Sequence, residues 1–122
     1  MSGIDYLADT NCFIYLLDEN PLLLPFASNN WAYSYITEIE LLSKKGISPK
    51  EDALIRAMLD ICYKINHSQL LTDLAIELKR TNNIKLPDAI IAASAQLMRL
   101  PLLTADKGFA NIQGIDCIIL DF

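Results

Sequence analysis

Short apolar runs alternate with longer stretches of helical character along the whole chain. Ile4 to Ala8 reads as a short buried strand that ends at Asp9, and Cys12 to Leu17 then carries helix-compatible residues up to the stop signal Asp18-Glu-Asn-Pro21. Trp31 to Ile36 is aromatic and β-branched enough for a second strand, after which Thr37 opens a helix closed by Lys44, Lys45 and Gly46. Ser48, Pro49, Glu51 and Asp52 form good helix-start chemistry for a segment reaching about Cys62. A third short strand is predicted near Tyr63 to Ile65. Ser68 or Thr72 caps the next helix, which runs to Arg80 and stops at Thr81-Asn-Asn83, and Pro87 starts another that carries through to Met98. Leu102 to Thr104 and Cys117 to Leu120 are strand-length runs separated by a loop containing glycine.

Strands that alternate with helices, and that are apolar throughout rather than at every second position, call for a parallel sheet covered on both faces. The expected fold class is α/β, with a short, mostly parallel central sheet flanked by helices. At 122 residues, without repeats or a Gly/Ser-rich linker, the chain is expected to form one domain spanning residues 1–122.

Composition narrows the function classes. Hydrophobic residues are 52% and charged residues 20%, which excludes an intrinsically disordered chain. No apolar run approaches the ~18 residues that cross a bilayer, because Pro25 interrupts the strongest one, Leu22 to Leu24 with Phe26. The first residues carry no secretion signal, so a cytoplasmic address is expected. Lys plus Arg is 10 against 15 Asp plus Glu, and the net charge of -5 leaves no broad basic footprint for a nucleic-acid backbone. A phosphate substrate would have to be met by local cations or a metal. Cys12, Cys62 and Cys117 are far apart, form no CxxC pair and are odd in number, so they are expected to be buried thiols.

The candidate chemistry lies in four acids. In an open α/β sheet the crevice sits outside the carboxyl ends of the strands, where Asp9 and Asp106 both follow apolar runs. Each also has a purely structural reading: Asp9 as a helix cap and Asp106 as a turn residue in Ala105-Asp-Lys-Gly108. Thr37-Glu-Ile-Glu40 has the form of a capping box, and Asp88 sits in a first helical turn, where the helix dipole favours a negative charge. Taken together, four converging carboxylates repel one another and need raised pKa values or a cation between them. A divalent ion is the simpler solution, and all-oxygen ligation points to Mg2+ or Mn2+. His67, in the polar Asn66-His-Ser-Gln loop, reads as a solvated residue. No GxSxG, GxxxxGK or HExxH motif is present.

Four pieces in order, Leu7-Ala-Asp-Thr-Asn11, Ile36-Thr-Glu-Ile-Glu-Leu41, Leu86-Pro-Asp-Ala-Ile-Ile-Ala-Ala93 and Leu103-Thr-Ala-Asp-Lys-Gly-Phe109, resemble the PIN-domain ribonucleases, and within them the small VapC-type toxins of toxin-antitoxin modules. The likeness covers nearly the whole chain. It implies a PIN-like three-layer sandwich and a metal-dependent endoribonuclease whose catalytic and metal-binding acids are Asp9, Glu40, Asp88 and Asp106. Thr10, Asn11 and Thr104 would give polar support. Glu38 rivals Glu40, which directly precedes a leucine and follows a threonine by three positions, as the family's acid does. The resemblance further implies one or two Mg2+ or Mn2+ ions, an RNA substrate, an antitoxin partner and a homodimer, with no membrane. Lys44, Lys45, Lys107 and Lys85 are the cations that RNA would meet. Lys107 and Gly108 stand where many relatives have a further acidic or polar group. Leu16, Leu17, Leu22 to Leu24 and Phe26 are candidates for an association face or for the core.

Two other readings compete. A haloacid-dehalogenase-type phosphatase also begins with a strand ending in Asp and uses Mg2+, although it wants a second acid where this chain has Asn11. A noncatalytic PIN-like or receiver-like interaction module would use the acids only as caps.

Overall fold

A computed structural model describes residues 3–121. Its five strands are β1 (Tyr6–Ala8), β2 (Trp31–Ser34), β3 (Tyr63–Ile65), β4 (Leu102–Thr104) and β5 (Cys117–Ile119). They lie in the order β3-β2-β1-β4-β5, and every pairing is parallel. Six α-helices join them: α1 (Thr10–Leu17), α2 (Leu24–Ala27), α3 (Tyr35–Leu42), α4 (Pro49–Asp60), α5 (Gln69–Thr81) and α6 (Leu86–Met98). Short 3-10 turns cover Pro21–Leu23 and Lys107–Asn111. The α/β class and the parallel sheet agree with the sequence expectation.

Side chains alternate across the pleat, so adjacent strand residues feed opposite layers. Leu7, Ala32 and Leu102 pack with α5 and α6, whose Ala75, Ala89, Ala92 and Ala93 allow close helix approach. Ala8, Tyr33 and Leu103 point the other way, onto Phe13 of α1, Leu41 of α3 and Ile55 and Leu59 of α4. The result is a three-layer sandwich. In the second layer Phe13 meets Trp31 and Tyr33 edge-on, with ring centroids 5.3 and 5.9 Å apart. Each such pair contributes about 0.5–1.5 kcal/mol beyond burial.

Some local expectations need correction. Strand β2 ends at Ser34, whose extended backbone (φ -75, ψ 145) and hydroxyl, accepting from Ile36 N, cap α3. The helix therefore starts two residues before Thr37, and the capping box Thr37–Glu40 does not form. Thr37 is fully buried within the helix instead. Ser68, not Thr72, caps α5 through the Leu71 amide. The residues of the candidate association face divide: Leu23 is buried, Leu24 is 71% exposed, and Leu16, Leu17 and Phe26 are half-buried. Of the cysteines only Cys12 is buried, with Cys62 and Cys117 half-buried; all three are free. His67 is exposed as expected, but it is also partnered, at 2.8 Å from the Thr72 hydroxyl. Among the described residues no helix is long and apolar enough to cross a membrane.

The strand order sets the location of the site. From β1 the chain winds outward through β2 to β3, then returns to the other side of β1 to lay down β4 and β5. The winding reverses between β1 and β4, where neighbouring connections leave on opposite faces and open a crevice at the strands' carboxyl ends.

Candidate active site

Asp9 and Asp106 leave the adjacent strands β1 and β4 at that reversal. Asp9 caps α1: its Oδ1 accepts from Thr10 N at 2.8 Å. Its Oδ2 accepts from Asn11 Nδ2 at 3.0 Å and from Thr104 Oγ1 at 2.7 Å. A carboxylate offers about four acceptor sites, so three donors leave one direction on Oδ1 free. Asp9 is only 5% exposed. Burial raises its carboxyl to about 6; the hydrogen bonds from Thr104 and Thr10 oppose that rise, and the charges of Asp88 and Glu40 add to it.

Glu40 reaches the same crevice from α3. Its Oε1 accepts from Thr10 Oγ1 at 2.6 Å. Because that bond uses the single Thr10 hydroxyl proton, the 3.0 Å contact between Thr10 and Thr37 must have Thr37 as donor. Buried Thr37 thus orients Thr10, which holds Glu40. No sequence motif marks Thr37 for this role; its one signal is its position one helical turn before Glu40. Glu38 faces elsewhere, toward Lys64 of β3 at 3.4 Å.

Asp88 is the third residue of α6 and half-buried, and among the described residues its carboxylate accepts no hydrogen bond. Burial raises its carboxyl, repulsion from Asp106 and Glu40 adds to the rise, and Lys85 opposes it. Asp106 caps the second 3-10 turn through Gly108 N at 2.8 Å, while its own amide donates to Thr104 Oγ1 at 3.0 Å. A side chain at position 108 would put a Cβ 3.0 Å from Asp106 Oδ1, so glycine suits this turn. Asn11 Oδ1 accepts from Ala105 N at 3.3 Å and ties the β1 and β4 ends together. For Asp9 and Asp106 capping and a place in the crevice coexist.

The cations differ in position. Lys44 pairs with Glu51 at 3.3 Å, Lys107 lies 4.0 Å from Asp121, and Lys45 is exposed. Lys85 lines a cleft of about 190 Å³ together with Asp88 and Asp106.

The donor set fits a hard divalent ion. All four side chains offer oxygen, two of them have raised carboxyl pKa values, and a positive ion would relieve the mutual repulsion. Among the described residues no three His, Cys, Asp or Glu side chains are grouped closely enough to hold a metal ion as they stand, so the acids meet at the range of electrostatic repulsion rather than of shared ligation.

These features define a doubly wound parallel α/β domain with an acidic crevice at its topological switch point. The PIN domain family matches residues 6–115. A solved toxin-antitoxin complex from Klebsiella pneumoniae contains a chain 33% identical to this one, with a TM-score of 0.81 over 96% of this chain and 98% of that one. VapBC2 from Rickettsia felis, solved bound to a promoter DNA fragment, is 23% identical over 97% and 100% of the two chains, with a TM-score of 0.81. VapBC-1 from nontypeable Haemophilus influenzae is 20% identical over 96% and 98%, with a TM-score of 0.82. No curated protein sequence matches significantly. The chain belongs to the PIN domain family.

Proposed function

We propose that the chain is a metal-dependent endoribonuclease and the toxin of a toxin-antitoxin pair. The observation that carries this reading is Asp9, a carboxylate 5% exposed at the sheet's switch point whose pKa is pushed up partly by two further acids. A buried acid repelled by its neighbours is costly as a cap alone, since an exposed side chain would cap α1 equally well.

Asp9, Glu40, Asp88 and Asp106 would hold Mg2+ or Mn2+, with Asp9 contributing through the free direction on Oδ1. When bound, such an ion supplies an acidified water and charge neutralisation at a phosphate. Thr104 and Asn11 fix the rotamer of Asp9, and Thr10 fixes that of Glu40. The Asp88 carboxylate, free of hydrogen bonds among the described residues and with its pKa raised, is suited to accept a proton from an attacking water.

The partner reading rests on the Klebsiella relative, a toxin-antitoxin complex, and on a second cleft of about 420 Å³ between α1, α3 and α4. Ile14 and Leu54, 46% and 56% exposed, line it; Lys44 there is paired with Glu51, and Glu40 and Asp18 leave the lining net negative. An antitoxin segment with apolar anchors and a basic side chain would satisfy both features. The homodimer belongs to the same reading, and equilibrium sedimentation of the purified chain tests it.

The decisive experiment is cleavage of a mixed RNA pool with and without Mg2+ or Mn2+, by wild type and by Asp9→Asn and Asp88→Asn. Metal-dependent cutting that both variants lose by about 100-fold or more supports the assignment. Variants that cut as well as wild type at equal metal would overturn it.

A further inference from the structure

Two clefts share the same pair of walls on the β4 side of the acids. One wall is the loop between α5 and α6, continued in the second cleft by Leu74, Glu77, Leu78 and Thr81 of α5, and the other is the 3-10 turn Lys107–Asn111 with the residues that follow it. Asn83, Lys85, Gly108 and Phe109 line the cleft that also contains Asp88 and Asp106. One residue earlier on the loop and two residues later on the turn, Asn82 and Asn111 line a second cleft of about 420 Å³, together with Gln96 and Gln113. The two spaces share no lining residue, but their linings follow one another along both segments, so they are neighbouring parts of one surface furrow that begins at the acids.

Their chemistry differs in a consistent way. Near the acids the furrow carries an exposed ammonium, Lys85, which forms no ion pair within 4.0 Å among the described residues. The far part carries four side-chain amides. The Nδ2 of Asn82 donates to Leu78 O at 3.1 Å and to Thr81 Oγ1 at 3.0 Å, leaving its Oδ1 as an acceptor. The side-chain amides of Gln96, Asn111 and Gln113 form no hydrogen bond among the described residues. A cation followed by unengaged amides matches the alternation of a nucleotide: a phosphate needs charge, whereas a base edge needs neighbouring donors and acceptors of the kind Asn and Gln present. Glu77, also on the far cleft, adds an acceptor and disfavours a phosphate there.

We propose that this furrow is a nucleotide subsite for single-stranded RNA, in which Lys85 holds a backbone phosphate next to the acidic site and the cleft of Asn82, Gln96, Asn111 and Gln113 reads the neighbouring unpaired base. This rests on the nuclease reading above and adds to it the path of the strand and the residues that select sequence. It favours Lys85, which lines the acidic cleft without an ion pair within 4.0 Å among the described residues, over Lys44 and Lys107, which are within 4.0 Å of Glu51 and Asp121. RNA specificity is mostly read from unstacked single-stranded bases, and a cleft lined by four side-chain amides and one carboxylate offers such a base donors and acceptors without a cation for phosphate.

The test separates binding from chemistry. Binding of a labelled single-stranded RNA is measured by fluorescence anisotropy with Mg2+, in an Asp9→Asn background, over a salt series. Lys85→Gln added to that background is expected to weaken binding about fivefold or more, whatever the sequence, and to lower the salt slope by about 0.7, the value for one single-strand phosphate. Lys50→Gln, on the exposed face of α4, serves as the charge control and leaves both readouts unchanged. In the catalytically intact protein, Asn111→Ala with Gln113→Ala is expected to flatten the base preference at one position beside the cut while kcat on the preferred and disfavoured sequences converges. Circular dichroism verifies that each variant folds. Lys85-dependent binding without RNA cleavage by wild type would sink the nuclease reading and support the phosphate contact. Cleavage by wild type with unchanged binding in Lys85→Gln and an unchanged cut-site profile in the double variant would overturn the subsite.

Discussion

The hydroxyl of Thr104 donates to Asp9 Oδ2 across 2.7 Å, a bond between side chains 95 residues apart, and Thr104 Oγ1 also accepts from Asp106 N at 3.0 Å. One buried atom thereby fixes two of the four acids relative to each other. It can do so because Leu7 and Leu102, and Ala8 and Leu103, pair in register across β1 and β4, so both strands present their ends at the same height.

Thr104→Val keeps the volume of that side chain and removes its hydrogen bonds. A buried carboxylate left short of a charged-group hydrogen bond should cost about 1.5–3 kcal/mol of stability at neutral pH. Because the Thr104 bond also restrains the rise in the Asp9 pKa, the variant should titrate Asp9 higher than about 6. Urea unfolding at pH 7.5 and pH 5 checks both consequences: the deficit should be larger at the higher pH.

Glu40 and Glu38 lie two positions apart on α3 and meet different partners, Thr10 at 2.6 Å and Lys64 at 3.4 Å. If Glu40 belongs to the proposed metal site, Glu40→Gln should lower RNA cleavage by about 100-fold. Glu38→Gln should leave cleavage within about twofold and change stability by about 1 kcal/mol or less, the usual range for a partly exposed ion pair. Equal activity losses in the two variants would remove the distinction.

The parallel sheet was legible because β1, β2 and β4 are apolar at successive positions, a pattern that only burial on both faces explains. Asp9, Asp88 and Asp106 were legible as positions next to strand ends and helix starts, whereas Glu40, read as a helix-start residue, lies near the end of α3. The threonine bonds that link them were not legible, since those of Thr104 depend on strand order, and no local pattern says that β4 returns beside β1. The start of α3 was misread for a different reason. Ser34 and Thr37 are both competent caps, and the Thr37–Glu40 spacing satisfies a capping box. Tertiary context decides in favour of Ser34: it ends β2 with extended backbone, whereas Thr37 must lie inside the helix for its hydroxyl to reach Thr10.

That correction has its own consequence. Ser34→Ala removes the cap acceptor for the Ile36 amide and should destabilise the chain by about 0.5–2 kcal/mol. Thermal unfolding followed by circular dichroism measures it. A neutral result would return the helix start to Thr37.

The proton affinity of Asp9 predicts how acidity and metal should act together. Its carboxyl titrates at about 6 in the folded chain against 3.8 for the ordinary group. Between those values the folded chain keeps a proton that the unfolded chain has lost, so ν_U is below ν_N and stability falls as pH rises. The contribution is fully present below about pH 4 and is lost by the time pH has passed about 6. The penalty for the ionised form is on the order of 3 kcal/mol at neutral pH. Asp88, shifted in the same direction, adds with the same sign. A divalent ion that neutralises these carboxylates competes with the proton, so added Mg2+ or Mn2+ should raise the melting temperature clearly at pH 7.5 and little at pH 5. In Asp9→Asn the metal-free loss of stability between pH 5 and 7 should shrink, and most of the metal gain at pH 7.5 should vanish. Melting curves at the two pH values, with chelator or with excess ion, test the set. A metal gain equal at both pH values, or retained in Asp9→Asn, would detach ion binding from this carboxylate.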